Sequence, residues 1–96
     1  MDENSTSTAL KNAVAKFGDL RGVIQCAGVG APSKVLSGKG VVHSLEHWNT
    51  VIGINLTGTF NVLRLATAIM AKQSPIETER GVFINVASVA AYEGQI

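Results

Sequence analysis

Two short apolar runs, Gly22-Val23-Ile24-Gln25-Cys26 and Gly81-Val82-Phe83-Ile84-Asn85-Val86, flank a long segment of helical periodicity. Each run is too short for a helix and suits a buried strand, the second being rich in β-branched residues. Between them Leu45, Trp48, Ile52, Leu56, Phe60, Leu63 and Met70 recur at steps of three, four or their multiples, the stripe of a helix packed on a sheet. The stripe predicts one helix over 45–72, opened by Ser44 and broken near Thr50. Strands joined through a helix cannot form a hairpin; they pair in parallel through a right-handed crossover. The expected fold class is α/β: a partial doubly wound parallel sheet containing one βαβ unit.

A further helix precedes that unit. Ser5, Thr6 and Ser7 stand ahead of Ala9, Leu10, Ala13, Val14 and Phe17, and Gly18 follows, predicting a helix over 5–17 with a hydroxyl cap and a glycine stop. Residues 29–43 and 73–80 read as surface loops on their Gly, Pro and Ser content and their charges. Trp48 and Phe60 read as core. Two strands do not complete a doubly wound sheet, and both are apolar enough to want neighbours at their edges and helices on both faces. Residues 1–96 therefore read as the middle of one larger domain.

Composition narrows the function. With 46% hydrophobic and 16% charged residues the chain is neither disordered nor collagenous. A net charge of +1 with scattered Lys and Arg gives no basic stripe, so nucleic acid is not an expected partner. No apolar run approaches the roughly 20 residues of a membrane span, and no membrane partner is expected. The single Cys26 excludes an internal disulfide, and Met-Asp-Glu-Asn-Ser-Thr does not resemble a secretory leader, so an intracellular, reducing compartment is expected. His43 and His47 stand four apart with no third ligand in prospect, and read as histidines at a helix start rather than a metal site.

Ligands of open parallel sheets bind beyond the carboxyl ends of the strands. Those ends are Cys26-Ala27-Gly28 and Ala87-Ser88. Small residues there either let a flat ligand approach the backbone or merely permit tight turns. Asn55 is the other anomaly, a polar residue between Ile54 and Leu56 with Gly53 and Gly58 nearby. An unsatisfied buried amide costs about 1–3 kcal/mol, and each helical glycine about 1 kcal/mol against alanine. Either the helix is deliberately irregular here, with Asn55 bound to backbone and a carbonyl freed to hold water, or Asn55 is a satisfied structural residue; the residues alone favour the second. Cys26 reads as a small packing residue rather than a nucleophile, having no base beside it.

The runs Val23-Ile24-Gln25-Cys26-Ala27-Gly28, Ile54-Asn55-Leu56-Thr57-Gly58-Thr59-Phe60 and Gly81-Val82-Phe83-Ile84-Asn85-Val86-Ala87-Ser88, in this order and spacing, resemble the middle of the short-chain dehydrogenase/reductase family. The resemblance extends over nearly the whole chain and implies a Rossmann-type dinucleotide-binding domain. It makes Cys26, Ala27 and Gly28 the part of the cofactor site that lies against the adenosine ribose. It makes Asn55 the catalytic Asn that holds a relay water, and Ser88 the catalytic Ser that orients the substrate oxygen. Gln25 departs from the family's usual Asn, which puts a supporting hydrogen bond in doubt, and Gly53 stands where Asp is common.

The resemblance further implies NAD or NADP as cofactor, NAD being favoured, and a homo-oligomer in the cytoplasm or mitochondrion. It implies a small hydroxy or keto substrate such as a 3-hydroxyacyl-CoA or hydroxysteroid. It places the glycine-rich phosphate turn upstream of Met1 and the Tyr-x-x-x-Lys pair after Ile96. Tyr92 is not that tyrosine: it lies too close to Ser88, and Ile96 stands where the lysine would be. The segment alone is expected to be inactive. The competing expectation is a truncated, non-catalytic product that associates with intact subunits or another protein.

Overall fold

The computed structural model describes residues 2–94. The first helix, α1 (Glu3–Phe17), begins two residues earlier than expected, and its cap is Asp2 rather than a hydroxyl. The Asp2 carboxylate accepts from the amides of Asn4 at 2.9 Å and Ser5 at 3.3 Å, placing full negative charge at the positive end of the helix. Gly18 ends it at φ 88°, a conformation that suits glycine.

Strands β1 (Gly22–Gln25) and β2 (Val82–Asn85) pair in parallel, Gly22 opposite Val82 and Gln25 opposite Asn85. The connection is helical throughout 45–70. α2 (Leu45–Ile52) starts where the Ser44 hydroxyl accepts from the His47 amide, and α3 (Thr59–Met70) completes the crossover. No break occurs at Thr50. The helix instead widens into a π turn over Gly53–Gly58, which carries one extra residue per turn and centres on Asn55.

The two ends of the crossover are tied down separately. On α3, Arg64 pairs with Glu3 at 2.7 Å and donates twice to the Asn61 amide oxygen, whose own NH2 donates to Thr6, so a polar chain docks α1 on α3. Below the sheet, the Gln73 side chain behaves as an added peptide unit. Its oxygen accepts from the Leu20 amide at 2.6 Å, and its NH2 donates to the carbonyls of Leu20 and Arg80. The expected loop 29–43 contains a tight hairpin, with Leu36 bridged to Val42, Ser37 hydroxyl accepting from the Val41 amide, and Gly40 at φ 75°.

The molecule is a thin slab of 57 × 29 × 17 Å with 7461 Å² of accessible surface. A compact protein of its mass exposes about 5,200 Å². Among the described residues only Ala66, Met70 and Asn61 are buried. The expectation that Trp48 and Phe60 are core is therefore corrected: they are 54% and 60% exposed. The crossover helix is apolar on two faces. Its sheet-side line runs through Ile54, Gly58, Val62, Ala66 and Met70, while Leu45, Trp48, Leu56 and Phe60 look outward.

Candidate functional site

Beyond the last ladder bond, from the Val86 amide to the Gln25 carbonyl at 3.0 Å, the two strand ends enclose a cleft of about 410 Å³. Cys26, Ala27, Gly28, Asn55 and Ser88, the residues singled out in the sequence, all line it, with Val29, Thr59 and Ala87 among their neighbours. Neither Gly28 nor Gly30 has positive φ, so no left-handed turn demands glycine at these positions. At Gly28 a Cβ would meet Asn55 Oδ1 at 3.5 Å, an ordinary contact; a methyl fits and a longer side chain meets the amide. Small side chains here keep the cleft open.

Asn55 spans from the crossover to the chain leaving β1. Its Nδ2 donates to the Val29 carbonyl at 2.9 Å and its Oδ1 accepts from the Val29 amide at 2.8 Å. Its main-chain carbonyl accepts the Thr59 hydroxyl at 2.7 Å, while the Thr59 amide reaches back to Leu56. Both readings of Asn55 hold in part: the helix is irregular and the amide is satisfied by backbone, while the carbonyl expected to be freed for water accepts the Thr59 hydroxyl. Ser88 caps a short 3₁₀ turn (Val89–Ala91), its oxygen accepting from the Ala90 amide at 3.2 Å. Among the described residues nothing accepts the Ser88 hydroxyl hydrogen, which remains free to donate.

Cys26 is exposed at the junction of this cleft with a second, largely apolar cavity of about 530 Å³ between β1, α1 and the crossover. Gln25, where a supporting hydrogen bond was in doubt, makes one: its Nε2 donates to Asn85 Oδ1 at 2.8 Å. Tyr92 is 94% exposed and does not line the cleft. His43 and His47 meet edge to face, with ring centroids 5.6 Å apart, and Trp48 adjoins His43. No three His, Cys, Asp or Glu side chains among the described residues are placed to share a metal ion. Sequence reasoning missed Val29 and Thr59, because Val29 acts through its backbone and a helical Thr is commonplace.

A parallel α/β unit whose cleft opens at the carboxyl ends of its strands, walled by glycine and alanine and edged by one amide and one free hydroxyl, defines a ligand-binding unit of the doubly wound class. The chain belongs to the short chain dehydrogenase family, which it matches over residues 1–96. It is 45% identical over 96 residues to human 3-hydroxyacyl-CoA dehydrogenase type-2, aligning 98% of this chain with 37% of that protein. The crystal structure of 3-hydroxyacyl-CoA dehydrogenase type-2 from Mycobacterium avium superposes with a TM-score of 0.89 at 34% identity, covering 99% of this chain and 37% of that one. ElxO, solved with NADPH bound, shares the fold at a TM-score of 0.79 and 24% identity, over 98% of this chain and 34% of its own. The chain thus spans just over a third of the length of these relatives. No helix among the described residues is long and apolar enough to cross a membrane.

Proposed function

We propose that residues 1–96 are the central part of a single dinucleotide-binding domain in an NAD(P)-dependent oxidoreductase. It interconverts a hydroxyl and a ketone on a substrate such as a 3-hydroxyacyl-CoA or hydroxysteroid. The observation that carries this reading is Asn55: both ends of its amide are committed to Val29, inside a π turn, on the cleft that also holds Ser88. A helix bears that irregularity at some energetic disadvantage, as expected where main-chain geometry serves chemistry.

The cleft fits the cofactor: Ala27, Gly28, Gly30 and Ala87 leave a wall without bulky side chains. Cys26, Ala27 and Gly28 would lie against its adenosine ribose, and NAD is favoured over NADP by the family resemblance. When bound, the nicotinamide supplies hydride acceptance or donation. Ser88 donates its free hydroxyl hydrogen to the substrate oxygen and orients the carbon that bears it. Asn55, held by Val29, presents the second lone pair of its main-chain carbonyl, beside the Thr59 hydroxyl, for a relay water. The phosphate turn and the Tyr-x-x-x-Lys pair are not in residues 1–96, so this segment by itself is inactive.

A second reading is favoured by the outward line of Leu45, Trp48, Leu56 and Phe60, between 54% and 71% exposed. It is a non-catalytic product that associates through the crossover helix with intact subunits or another protein. In the dehydrogenase the same face would join subunits of a homo-oligomer, mitochondrial or cytoplasmic. The deciding experiment sequences the coding region on both sides, then assays the natural polypeptide with NAD⁺ or NADP⁺ and 3-hydroxybutyryl-CoA or a hydroxysteroid. Cofactor-dependent turnover supports the oxidoreductase. A stop codon bounding the segment, with no turnover, supports the second reading.

A further inference from the structure

Gln25 and Asn85 are the last paired residues of β1 and β2, directly opposite in register, and Gln25 lines the cavity between β1, α1 and the crossover. Their side chains are joined, Gln25 Nε2 donating to Asn85 Oδ1 at 2.8 Å. One residue further on each strand the cleft begins, with Cys26 on one wall and Val86, Ala87 and Ser88 on the other. Each wall has its own fastening: Asn55 grips Val29, and Ser88 caps Ala90. Neither fastening ties one wall to the other. Across the floor the ties are the terminal ladder bond and this side-chain bond.

Resting on the oxidoreductase reading above, we infer that Gln25 and Asn85 form a clasp that sets the height of Ser88 relative to the Cys26-Ala27-Gly28 wall. They are positioning residues. A misplacement of about 1 Å between reacting groups lowers rate by up to about a hundredfold, whereas binding tolerates it better. Loss of the clasp should therefore fall on kcat rather than on KM. The chain lengths matter: Gln25 spans to Asn85 with one methylene more than Asn would have. Gln25→Asn, the family's usual residue, leaves a gap beyond hydrogen-bond range against an unmoved Asn85.

The test uses the natural polypeptide carrying residues 1–96, assayed with NAD⁺ and 3-hydroxybutyryl-CoA. Gln25→Leu and Gln25→Asn are each expected to lower kcat about tenfold with cofactor KM changed less than about twofold. Asn85→Asp, which keeps the acceptor, is expected to retain activity within about threefold. The double variant Gln25→Leu/Asn85→Leu should be no worse than the poorer single variant, as for two residues acting through one bond. Full activity in Gln25→Asn, or independent multiplication of the two Leu effects, overturns the clasp. Amide hydrogen exchange at Val86 and Ser88 is measured on the same variants. If the unsubstituted polypeptide shows no turnover, the oxidoreductase reading fails, and exchange decides the clasp separately. Accelerated exchange in Gln25→Leu, with protection restored in Asn85→Asp, then supports it; unchanged exchange overturns it. Should Gln25→Leu not fold, Gln25→Asn and Asn85→Asp carry both readouts.

Discussion

The Asn55 amide and the Val29 peptide are joined in both directions, Nδ2 to carbonyl at 2.9 Å and amide to Oδ1 at 2.8 Å, across 26 residues of sequence. The pair couples the crossover helix to the chain leaving β1, so the mouth of the cleft moves only if the π turn moves with it. Replacing Asn55 by Asp keeps one bond but sets a carboxylate against the Val29 carbonyl. Asn55→Asp should destabilise by about 1–3 kcal/mol, and Asn55→Ala by about 1–2 kcal/mol, measured by chemical unfolding of the natural polypeptide. Both should accelerate exchange of the Val29 amide and abolish most turnover, with Asn55→Asp the more damaging to stability.

Gly81 lies directly against the Met70 side chain. A Cβ at Gly81 would overlap Met70 Sδ and stand 2.9 Å from its Cε, and Met70 is 4% exposed with little room to withdraw. Gly81→Ala should cost about 1–3 kcal/mol by overpacking. Met70→Ala alone should cost about 2–5 kcal/mol by leaving a cavity. The double variant should lose clearly less than the sum, because the added methyl enters the vacated space. Strict additivity in the unfolding free energies would refute the contact.

How much of this was legible in the sequence depended on whether a feature is carried by side-chain type. The strands, their parallel pairing and the Ser44 cap were readable, because β-branched runs and a hydroxyl before an apolar stripe have distinct signatures. Asn55 was visible as an anomaly, flanked by Gly53 and Gly58, but its partner was not, since Val29 contributes only backbone. The phase of the crossover helix misled. Leu45, Trp48, Leu56 and Phe60 form as good a stripe as Ile54, Val62, Ala66 and Met70, and periodicity does not distinguish a sheet-facing line from a partner-facing one. The extra residue of the π turn also shifts the phase after Gly58. At the amino end, Asp2 displaced the Ser and Thr residues as cap because a carboxylate answers two helix amides at once.

Between α1 and α3, Asn61 should matter more than the ion pair it supports. Glu3 and Arg64 are 63% and 40% exposed, and solvent screening holds such a pair to about 0–1 kcal/mol. Asn61 is 9% exposed and joins Thr6 to Arg64. Asn61→Ala should cost about 1–3 kcal/mol, since it strands two partners at once, while Glu3→Gln should cost less than about 1 kcal/mol. Raising the salt concentration should erase the Glu3→Gln difference and leave the Asn61→Ala difference in place.

Glu77 holds φ 55° in the turn that bridges Ile76 to Glu79, a conformation unfavourable for an L-residue with a full side chain. Glycine adopts it without strain, at the price of a more flexible unfolded chain. The balance should favour Glu77→Gly by about 0.5–1 kcal/mol, seen as a raised unfolding midpoint with an unchanged denaturant slope. Glu79→Gly, with no positive φ to relieve, should give no such gain.

The outward line of the crossover helix yields the prediction that separates folding from assembly. Leu45, Trp48, Leu56 and Phe60 are 71%, 54%, 63% and 60% exposed, whereas Ala66 and Met70 on the sheet-side line are buried. An exposed apolar line of this kind fits a surface that another element or subunit covers. If it joins subunits, Trp48→Glu and Phe60→Glu each place an unpaired charge in a desolvated surface and should shift the natural polypeptide toward monomer by about tenfold or more in dissociation constant. The folded monomer should persist, because both side chains are more than half exposed; far-ultraviolet circular dichroism at limiting dilution checks this. Sedimentation velocity over a concentration series checks the association. An oligomer that survives both substitutions unchanged would place its interface elsewhere and leave this strip to be covered within its own subunit.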